Sequence, residues 1–192
     1  RVLFRSGCPS RSFTDLNTGV WYHPYTDYVI SHSLMRGLSS TLFAPNQSMT
    51  RGMMVTTLYR LAGEPQVEGT ATFQDVKSSA YYANAVAWAE ANGIAKGIDT
   101  GVFAPNAPVT REQAAAFAYR YVTAYLGKTP VPGASLGGFQ DAGLVSDYAA
   151  ESLSWAHAAG LMVGYGDGFL GPKDTVTRAQ MAKLLTLLAQ NF

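Results

Sequence analysis

The segment GIDTGVFAPNAPVTREQ, residues 97–113, decides the fold of this chain, because related segments occur twice more in the sequence. Each has a glycine, a turn with a phenylalanine and a proline, and a Thr-Arg pair five residues after the proline. The three sets are Gly97, Phe103-Ala104-Pro105 and Thr110-Arg111; Gly37, Phe43-Ala44-Pro45 and Thr50-Arg51; and Gly164, Phe169-Leu170-Gly171-Pro172 and Thr177-Arg178. The third turn carries one extra residue, so we expect an insertion at Gly171.

Two further landmarks precede each glycine at constant spacing. A large aromatic residue lies nine positions before it, and a Phe-x-Asp segment lies fifteen or sixteen positions before the aromatic. These residues are Tyr28, Trp88 and Trp155, and Phe13-Thr14-Asp15, Phe73-Gln74-Asp75 and Phe139-Gln140-Asp141. Five landmarks in the same order three times indicate internal repeats. We predict repeats at 13–66, 67–132 and 133–192, after a flexible lead-in at 1–12 that is either left by cloning or the stump of a longer protein.

The first half of each repeat predicts a helix. In the second repeat, Tyr82, Val86 and Ala89 share one helical face with Trp88 beside it, and Asn92-Gly93 provides a stop. The third repeat has the same pattern and ends at Gly160. Gly-rich turns follow, so each repeat continues into a loop.

A second helix is predicted to begin at each Thr-Arg pair. Thr110 is a good N-cap, and Gln113 can complete a capping box. Thr177 and Gln180 repeat this pairing, whereas Met53 after Thr50 has no side-chain acceptor for it. The predicted fold is therefore all-α, built from three helix–loop–helix repeats.

An arginine at a helix start is unfavourable by roughly 0.3–1 kcal/mol when exposed, yet Arg51, Arg111 and Arg178 all occupy that position. A helix start also attracts anions, and a guanidinium can hold a carboxylate through two hydrogen bonds. The pattern predicts three anion sites suited to an acidic sugar substituent. The alternative, compatible with it, is that each arginine pairs with a local carboxylate such as Asp15, Asp75 or Asp141.

The repeated aromatic and glycine positions also allow two interpretations. Tyr28, Trp88 and Trp155 are either core residues or flat platforms for a sugar. Gly37, Gly97 and Gly164 are expected at turns with positive φ rather than in direct ligand contact, although their backbone could approach a ligand.

Composition excludes several classes of protein. The 14 Lys and Arg residues almost balance the 13 Asp and Glu residues, which argues against a nucleic-acid binder. No apolar run is long enough for membrane insertion. One cysteine, Cys8, cannot form an intramolecular disulfide or an all-cysteine metal site. The histidines occupy non-equivalent positions and no catalytic motif is present, so we predict a non-catalytic protein with no cofactor and no metal.

The combination of Phe-x-Asp, Trp-Ala, Gly-(x)-Gly-x-x-x-Phe-x-Pro and Val-Thr-Arg-(Ala/Glu)-Gln over residues 13–192 resembles the bacterial S-layer homology (SLH) repeat. The resemblance implies a pseudo-threefold spindle around a central three-helix bundle, with grooves between repeats. It also implies non-covalent binding of secondary cell-wall polysaccharide, commonly through a pyruvate ketal on N-acetylmannosamine. By this resemblance Arg51, Arg111 and Arg178 match the carboxylate-gripping position, and the Phe-x-Asp aspartates match groove-lining positions together with Trp88 and Trp155.

The implied function is an extracellular, monomeric module that anchors a larger secreted protein to the bacterial cell wall. The alternative is a structural module that binds a partner protein of the cell surface without sugar. Repeat 1 departs from the pattern at Tyr28, Ser33 and Gly52-Met53, and Gly52 weakens a helix by up to about 1 kcal/mol relative to alanine. We therefore expect the weakest site in repeat 1 and the strongest at Arg111.

Overall fold

The computed structural model describes residues 7–192 and contains six α-helices within them. They are α1 (His23–Ser31), α2 (Arg51–Leu61), α3 (Ala83–Ala91), α4 (Arg111–Arg120), α5 (Ala150–Ala158) and α6 (Arg178–Asn191). A π-helical turn at Tyr121–Tyr125 extends α4, and short 3₁₀ helices occur at Pro9–Ser12, Ala142–Leu144 and Asp147–Ala149. This part of the chain has no strand and only isolated β-bridges. The all-α prediction with two helices per repeat is confirmed.

The predicted caps define the starts of α2, α4 and α6. Thr50, Thr110 and Thr177 each accept a hydrogen bond from the third residue of the helix, at 3.2, 3.3 and 3.2 Å. The side chains of Gln113 and Gln180 accept a hydrogen bond from the backbone N–H of the cap threonine and complete the capping box, whereas α2 has only the bond to the threonine side chain. Local sequence is enough to place these boundaries because capping is a local interaction.

Helix packing joins consecutive repeats into a ring. The second helix of one repeat packs on the first helix of the next, so α2 packs on α3 and α4 on α5. The ring closes where α6 of repeat 3 packs on α1 of repeat 1. α2 also contacts α4 and α6, and the inner faces of these helices bury Met54, Leu58, Phe117, Leu184 and Leu185.

A closed set of three backbone hydrogen bonds fixes the starts of the three second helices. Met49 donates to Val176 at 2.8 Å, Val176 donates to Val109 at 3.0 Å, and Val109 donates to Met49 at 2.9 Å. Each of these residues immediately precedes an N-cap threonine. The three repeats are therefore related by a pseudo-threefold arrangement, and each repeat contacts both of the others.

The loop of repeat 3 has no insertion, so that prediction is wrong. Asp141 binds the backbone N–H groups of Leu170 and Gly171, as Asp15 binds those of Phe43 and Ala44. Gly171 has the same left-handed backbone as Ala44, with φ of 66° and 57°. Leu170 thus takes the place of Phe43. The extra residue of repeat 3 lies before α5, in the segment with the short 3₁₀ helices.

The prediction of positive φ at Gly37, Gly97 and Gly164 is also wrong. None of the three has positive φ. A Cβ on Gly37 or Gly164 would lie 2.3 Å from the ring of Phe13 or Phe139, and one on Gly97 would lie 2.7 Å from two loop carbonyls. Glycine is required because the phenylalanine of Phe-x-Asp and the loop pack directly on its backbone.

The expected flexible lead-in falls in two parts. Residues 1–6 lie outside the described residues. Pro9–Ser12 is a 3₁₀ helix that packs on α1, and Ser10 within it is fully buried. This second part is therefore ordered against repeat 1. Within residues 7–192, no helix combines the length and apolar character needed to cross a bilayer.

Candidate functional site: three grooves between repeats

Each Thr-Arg arginine extends into the following repeat and donates to two backbone carbonyls. Arg51 donates through Nε to Phe103 at 2.7 Å and through Nη2 to Lys96 at 3.0 Å. The same bonds recur from Arg111 to Leu170 and Val163, at 2.9 and 2.7 Å, and from Arg178 to Phe43 and Arg36, both at 2.6 Å. All three side chains are at most 6% exposed. The arginines therefore tie each repeat to the next around the ring.

The starts of the second helices do not offer free N–H groups, contrary to the predicted helix-terminal anion sites. The N–H of Arg51 donates to Ala107 at 2.9 Å and that of Gly52 donates to Pro105 at 2.8 Å. The equivalent groups of α4 and α6 bind the loops of repeats 3 and 1 in the same way. Because the threonine takes the third N–H, a neighbouring loop and a side chain occupy the position where an anion was expected.

The Phe-x-Asp aspartates hold the loops that the arginines bind. Asp75 accepts from the N–H groups of Phe103 and Ala104 at 2.9 and 2.6 Å. The carbonyl of that same Phe103 accepts from Arg51, so aspartate and arginine act on one residue without forming an ion pair. No carboxylate within residues 7–192 makes a salt bridge to Arg51, Arg111 or Arg178. The alternative of a direct Arg–Asp pair is therefore not what the structure shows.

The guanidinium groups remain cationic despite their burial. Burial lowers the pKa of Arg51 and of Arg178 to about 10 and also lowers that of Arg111, while the aspartates of the loops oppose this shift. Aromatic rings cover the charges: Arg51 Cζ lies 4.7 Å from the centre of the Phe103 ring and Arg111 Cζ lies 5.0 Å from that of Tyr165. At neutral pH each group is a fixed positive charge.

Three grooves lie over these arginines, and we number each by the repeat that supplies its glycine loop and its second helix. Each combines a glycine loop and second helix from one repeat, the arginine of the preceding repeat, and an aromatic residue of the following repeat. Groove 1 has Gly37, Arg60, Arg178 and Tyr81; groove 2 has Gly97, Arg120, Arg51 and Tyr148; groove 3 has Gly164, Lys183, Arg111 and Trp21. Their volumes are about 340, 580 and 260 Å³.

The groove aromatics are residues that the sequence-based interpretation missed. Trp21, Tyr81 and Tyr148 are 57%, 63% and 54% exposed. Each precedes one of the predicted aromatics by seven residues, so the threefold spacing was a signal that could have identified them.

The predicted aromatics lie elsewhere. Trp88 and Trp155 are 3% and 1% exposed and pack against Tyr59 of α2 and Tyr119 of α4. Tyr28 is half-buried and stacks on a neighbouring histidine. The structure thus places the two tryptophans in the core between paired helices, as the first of the two interpretations allowed by the sequence has it, and not in the grooves.

The grooves are electrostatically positive. Arg36 and Lys96 add further cations to grooves 1 and 2, and within residues 7–192 no aspartate or glutamate lines any of the three. Hydrogen bonds of Arg51 use Nε and Nη2, and no described residue accepts from its Nη1. Arg111 and Arg178 have the same free group. Each groove can therefore accept an anionic oxygen at a guanidinium that is already fixed in position.

Family comparison agrees with the threefold geometry. The family model of the S-layer homology domain matches residues 12–53, 72–115 and 138–182. The chain belongs to this family. The three matched ranges correspond to the three repeats, and each includes a Phe-x-Asp segment and a Thr-Arg pair.

Relatives of this SLH module are much longer proteins with different names. It is 33% identical to an endoglucanase of Bacillus sp. (strain KSM-635), over 92% of the chain and 18% of the endoglucanase. It is 30% identical to the surface-layer 125 kDa protein of Lysinibacillus sphaericus, over 85% and 14%, and 26% identical to the S-layer protein sap of Bacillus anthracis, over 95% and 22%. The chain therefore spans less than a quarter of these relatives.

Proposed function

We propose that this SLH module anchors a larger extracellular protein to the bacterial cell wall by binding an anionic secondary cell-wall polysaccharide in its grooves. The observation that carries the proposal is the threefold recurrence of a fixed guanidinium, an exposed aromatic ring and a glycine loop in a groove without carboxylates. Relatives named as S-layer proteins and as an endoglucanase support a module that serves proteins of different activity. The module itself is non-catalytic in this proposal.

A pyruvylated N-acetylmannosamine unit has the chemistry that these grooves favour. The carboxylate of the pyruvate ketal accepts hydrogen bonds from a guanidinium, and the apolar face of a sugar ring packs on an aromatic side chain. Groove 2 is the strongest candidate because its volume of about 580 Å³ is the largest and because Arg51, Lys96 and Arg120 surround it. Typical small-ligand sites have roughly 300–1,000 Å³. Arg111, which the sequence favours, lies in the smaller groove 3.

The test is a calorimetric titration of the intact chain with a pyruvylated N-acetylmannosamine glycoside and with the same sugar lacking pyruvate. We expect binding of the pyruvylated sugar alone. Arg120→Gln and Tyr148→Ala in groove 2 should each weaken the binding of the pyruvylated sugar about tenfold or more, because the first removes a charge-assisted hydrogen bond and the second removes a ring contact. Arg60→Gln and Tyr81→Ala, the matched changes in groove 1, should alter the affinity less than about twofold.

These rim residues are better probes than the buried arginines. Arg120 has a single long bond of 3.4 Å to Ile94, and the exposed Tyr148 has a single bond of 3.3 Å to Glu112, so their removal leaves the arginine ties between repeats intact. Arg51→Ala would remove two hydrogen bonds to carbonyls of the next repeat, and loss of folding would then imitate loss of binding.

Two outcomes would contradict the proposal. Equal binding of both sugars would mean that the carboxylate is not recognised. Binding of neither sugar, nor of purified cell-wall polysaccharide, would favour the alternative of a structural module that binds a partner protein of the cell surface.

A further inference from the structure

Three side chains of different chemistry converge at the outer side of α1. Cys8 Sγ lies 3.0 Å from His23 Nε2 and 3.3 Å from Asp27 Oδ2. The Nε2 and Oδ2 atoms are themselves 3.2 Å apart. His23 and Asp27 are one turn apart on the same face of the helix, and the 3₁₀ helix Pro9–Ser12 brings Cys8 beside them. A thiol, an imidazole and a carboxylate thus direct one atom each toward a common point.

Neighbouring contacts hold this cluster in place. The Ser10 N–H donates to Asp27 Oδ1 at 2.8 Å, which leaves Oδ2 for the cluster. Ser10 Oγ lies 3.1 Å from Thr26 Oγ1, and both residues are fully buried. The backbone next to Cys8 is therefore fixed by packing that does not involve the cysteine itself.

The cluster is unrelated to the repeat architecture. The positions equivalent to His23 and Asp27 are Ala83 and Ala87 in α3 and Ala150 and Ser154 in α5. None of the three residues lines a groove. The threefold scaffold does not need this cluster, so its chemistry calls for a separate explanation.

We propose that Cys8, His23 and Asp27 form a binding site for a single zinc ion. Zinc accepts sulfur, nitrogen and oxygen ligands at about 2.0–2.3 Å, and tetrahedral geometry then sets ligand atoms roughly 3.3–3.6 Å apart. The observed separations of 3.0, 3.2 and 3.3 Å require an expansion of only a few tenths of an ångström. Thiolate and imidazole ligands do not suit magnesium or calcium, which prefer oxygen.

The coordination would be completed from solvent. The side chains of His23 and Asp27 are 23% and 24% exposed, so water can reach a fourth position. A thiolate and a carboxylate together neutralise the charge of Zn²⁺. The sequence predicts no metal because its single cysteine excludes an all-cysteine site and its histidines follow no motif, but a mixed ligand set needs only one cysteine and one histidine.

Zinc binding would link the ordered start of the chain to the helix that closes the ring. α1 packs on α6 of repeat 3, and the Pro9–Ser12 helix packs on α1. An ion held by Cys8 and α1 would therefore stabilise the folded module, and this effect gives a readout that does not depend on polysaccharide. The proposal of a zinc site and the proposal of polysaccharide binding in the grooves can thus be tested separately.

The test is a titration of the chelator-treated, reduced chain with Zn²⁺ by calorimetry and with Co²⁺ by absorption spectroscopy. We expect one ion per chain and a thiolate-to-cobalt charge-transfer band. Zn²⁺ at about one hundred times its Kd should raise the Tm by about 5–10 °C. Cys8→Ser, His23→Ala and Asp27→Asn should each weaken binding by at least about tenfold.

His32→Ala is the matched control, since His32 is an exposed histidine just beyond the opposite end of α1 and outside the cluster. It should retain the affinity, stoichiometry and cobalt band. No binding by the intact chain would overturn the proposal, and so would binding that Cys8→Ser leaves unchanged. In those cases the three residues form only a hydrogen-bonded cluster, with the Cys8 thiol donating to Asp27.

Discussion

The junction between repeats 1 and 2, where the start of α2 meets the residue before α3, is filled differently from the junction between repeats 2 and 3, where the start of α4 meets the residue before α5. In the first junction Gly52 leaves room for the ring of Tyr82, whereas in the second the equivalent residues are Glu112 and Ala149. A Cβ on Gly52 would lie only 2.9 Å from the ring of Tyr82, which is 8% exposed. In the second junction the small Ala149 is fully buried, and Glu112 is 3% exposed. One junction is filled by an apolar ring and the other by a charged group.

Glu112 is buried with its partners. It accepts from the N–H and hydroxyl of Ser146 at 3.0 and 2.9 Å, from Tyr148 at 3.3 Å and from Lys173 at 2.6 Å. The backbone is the same in both junctions, because Gly52 and Glu112 each donate to the proline carbonyl of the next loop. A small residue therefore faces a large one in each junction: Gly52 of α2 faces Tyr82, and Glu112 of α4 faces the side of Ala149. Helix propensity alone had suggested that Gly52 weakens repeat 1.

The largest expected effect comes from removing the carboxylate of Glu112 from the second junction. Glu112→Ala leaves Ser146 without its acceptor and opens a cavity, so we expect a loss of about 2–3 kcal/mol in the free energy of unfolding. Urea denaturation monitored by circular dichroism would measure it. A loss below about 0.5 kcal/mol would mean that water replaces the carboxylate without penalty.

The same junction should make stability depend on pH. Burial alone would raise the pKa of Glu112, but hydrogen bonds from Lys173 and Ser146 outweigh it and hold the pKa below its ordinary 4.5. Folding therefore favours the ionised form, and its stabilisation is complete above pH 4.5 and is lost as the pH falls through the lower folded value. The stability difference between the protein and its Glu112→Gln variant should shrink in that acidic range. A constant difference would contradict this assignment.

A smaller effect is expected at the apolar junction. Gly52→Ala should destabilise the module by about 1–2 kcal/mol, because overpacking against Tyr82 and the Pro105 carbonyl exceeds the roughly 1 kcal/mol gained in helix propensity. In the Tyr82→Ala background the same substitution should cost much less. A double-mutant cycle by urea denaturation measures the coupling, and simple additivity would show that the ring does not impose the glycine.

The smallest effect concerns the end of α1. Ser33 has φ of 58° where Gly93 and Gly160 both have 69°. Non-glycine residues pay roughly 1 kcal/mol in this left-handed conformation, so Ser33→Gly should raise the free energy of unfolding by about 0.5–1 kcal/mol. Gly93→Ser in repeat 2 should lower it by a similar amount. If both variants were as stable as the parent chain, the left-handed conformation of Ser33 would carry no energetic cost, and this prediction would be wrong.

Local features of this fold could be predicted from the sequence, and non-local ones could not. The cap at Thr110 and the stop at Gly93 depend on residues three or four positions away, and both are found as expected. The partner of Arg51 could not be deduced, because it is a backbone carbonyl of the next repeat and carries no side-chain signature.

The site shows the same division. Spacing identified Arg51, Arg111 and Arg178, and the structure places all three at grooves, although mainly as ties between repeats. The family resemblance matched Trp88 and Trp155 to groove-lining positions, yet these lie in the core, and the groove aromatics are the less prominent residues seven positions earlier. The cluster of Cys8 with α1 brings together residues 15 and 19 positions apart, which no repeat-based pattern would connect.

The closure of the ring sets an order of assembly. Arg51 and Arg111 bind carbonyls 45 to 59 residues away, whereas Arg178 binds carbonyls 135 and 142 residues away. The Arg51 tie needs only repeats 1 and 2, and the Arg111 tie can form once Leu170 has been reached, but the third tie must wait for Arg178 and closes a longer loop at a higher entropic cost. Until then, the faces of α1 and α2 that α6 covers remain exposed. A chain that is threaded through an export channel from its N-terminus would complete grooves 1 and 3 only after its last repeat has emerged.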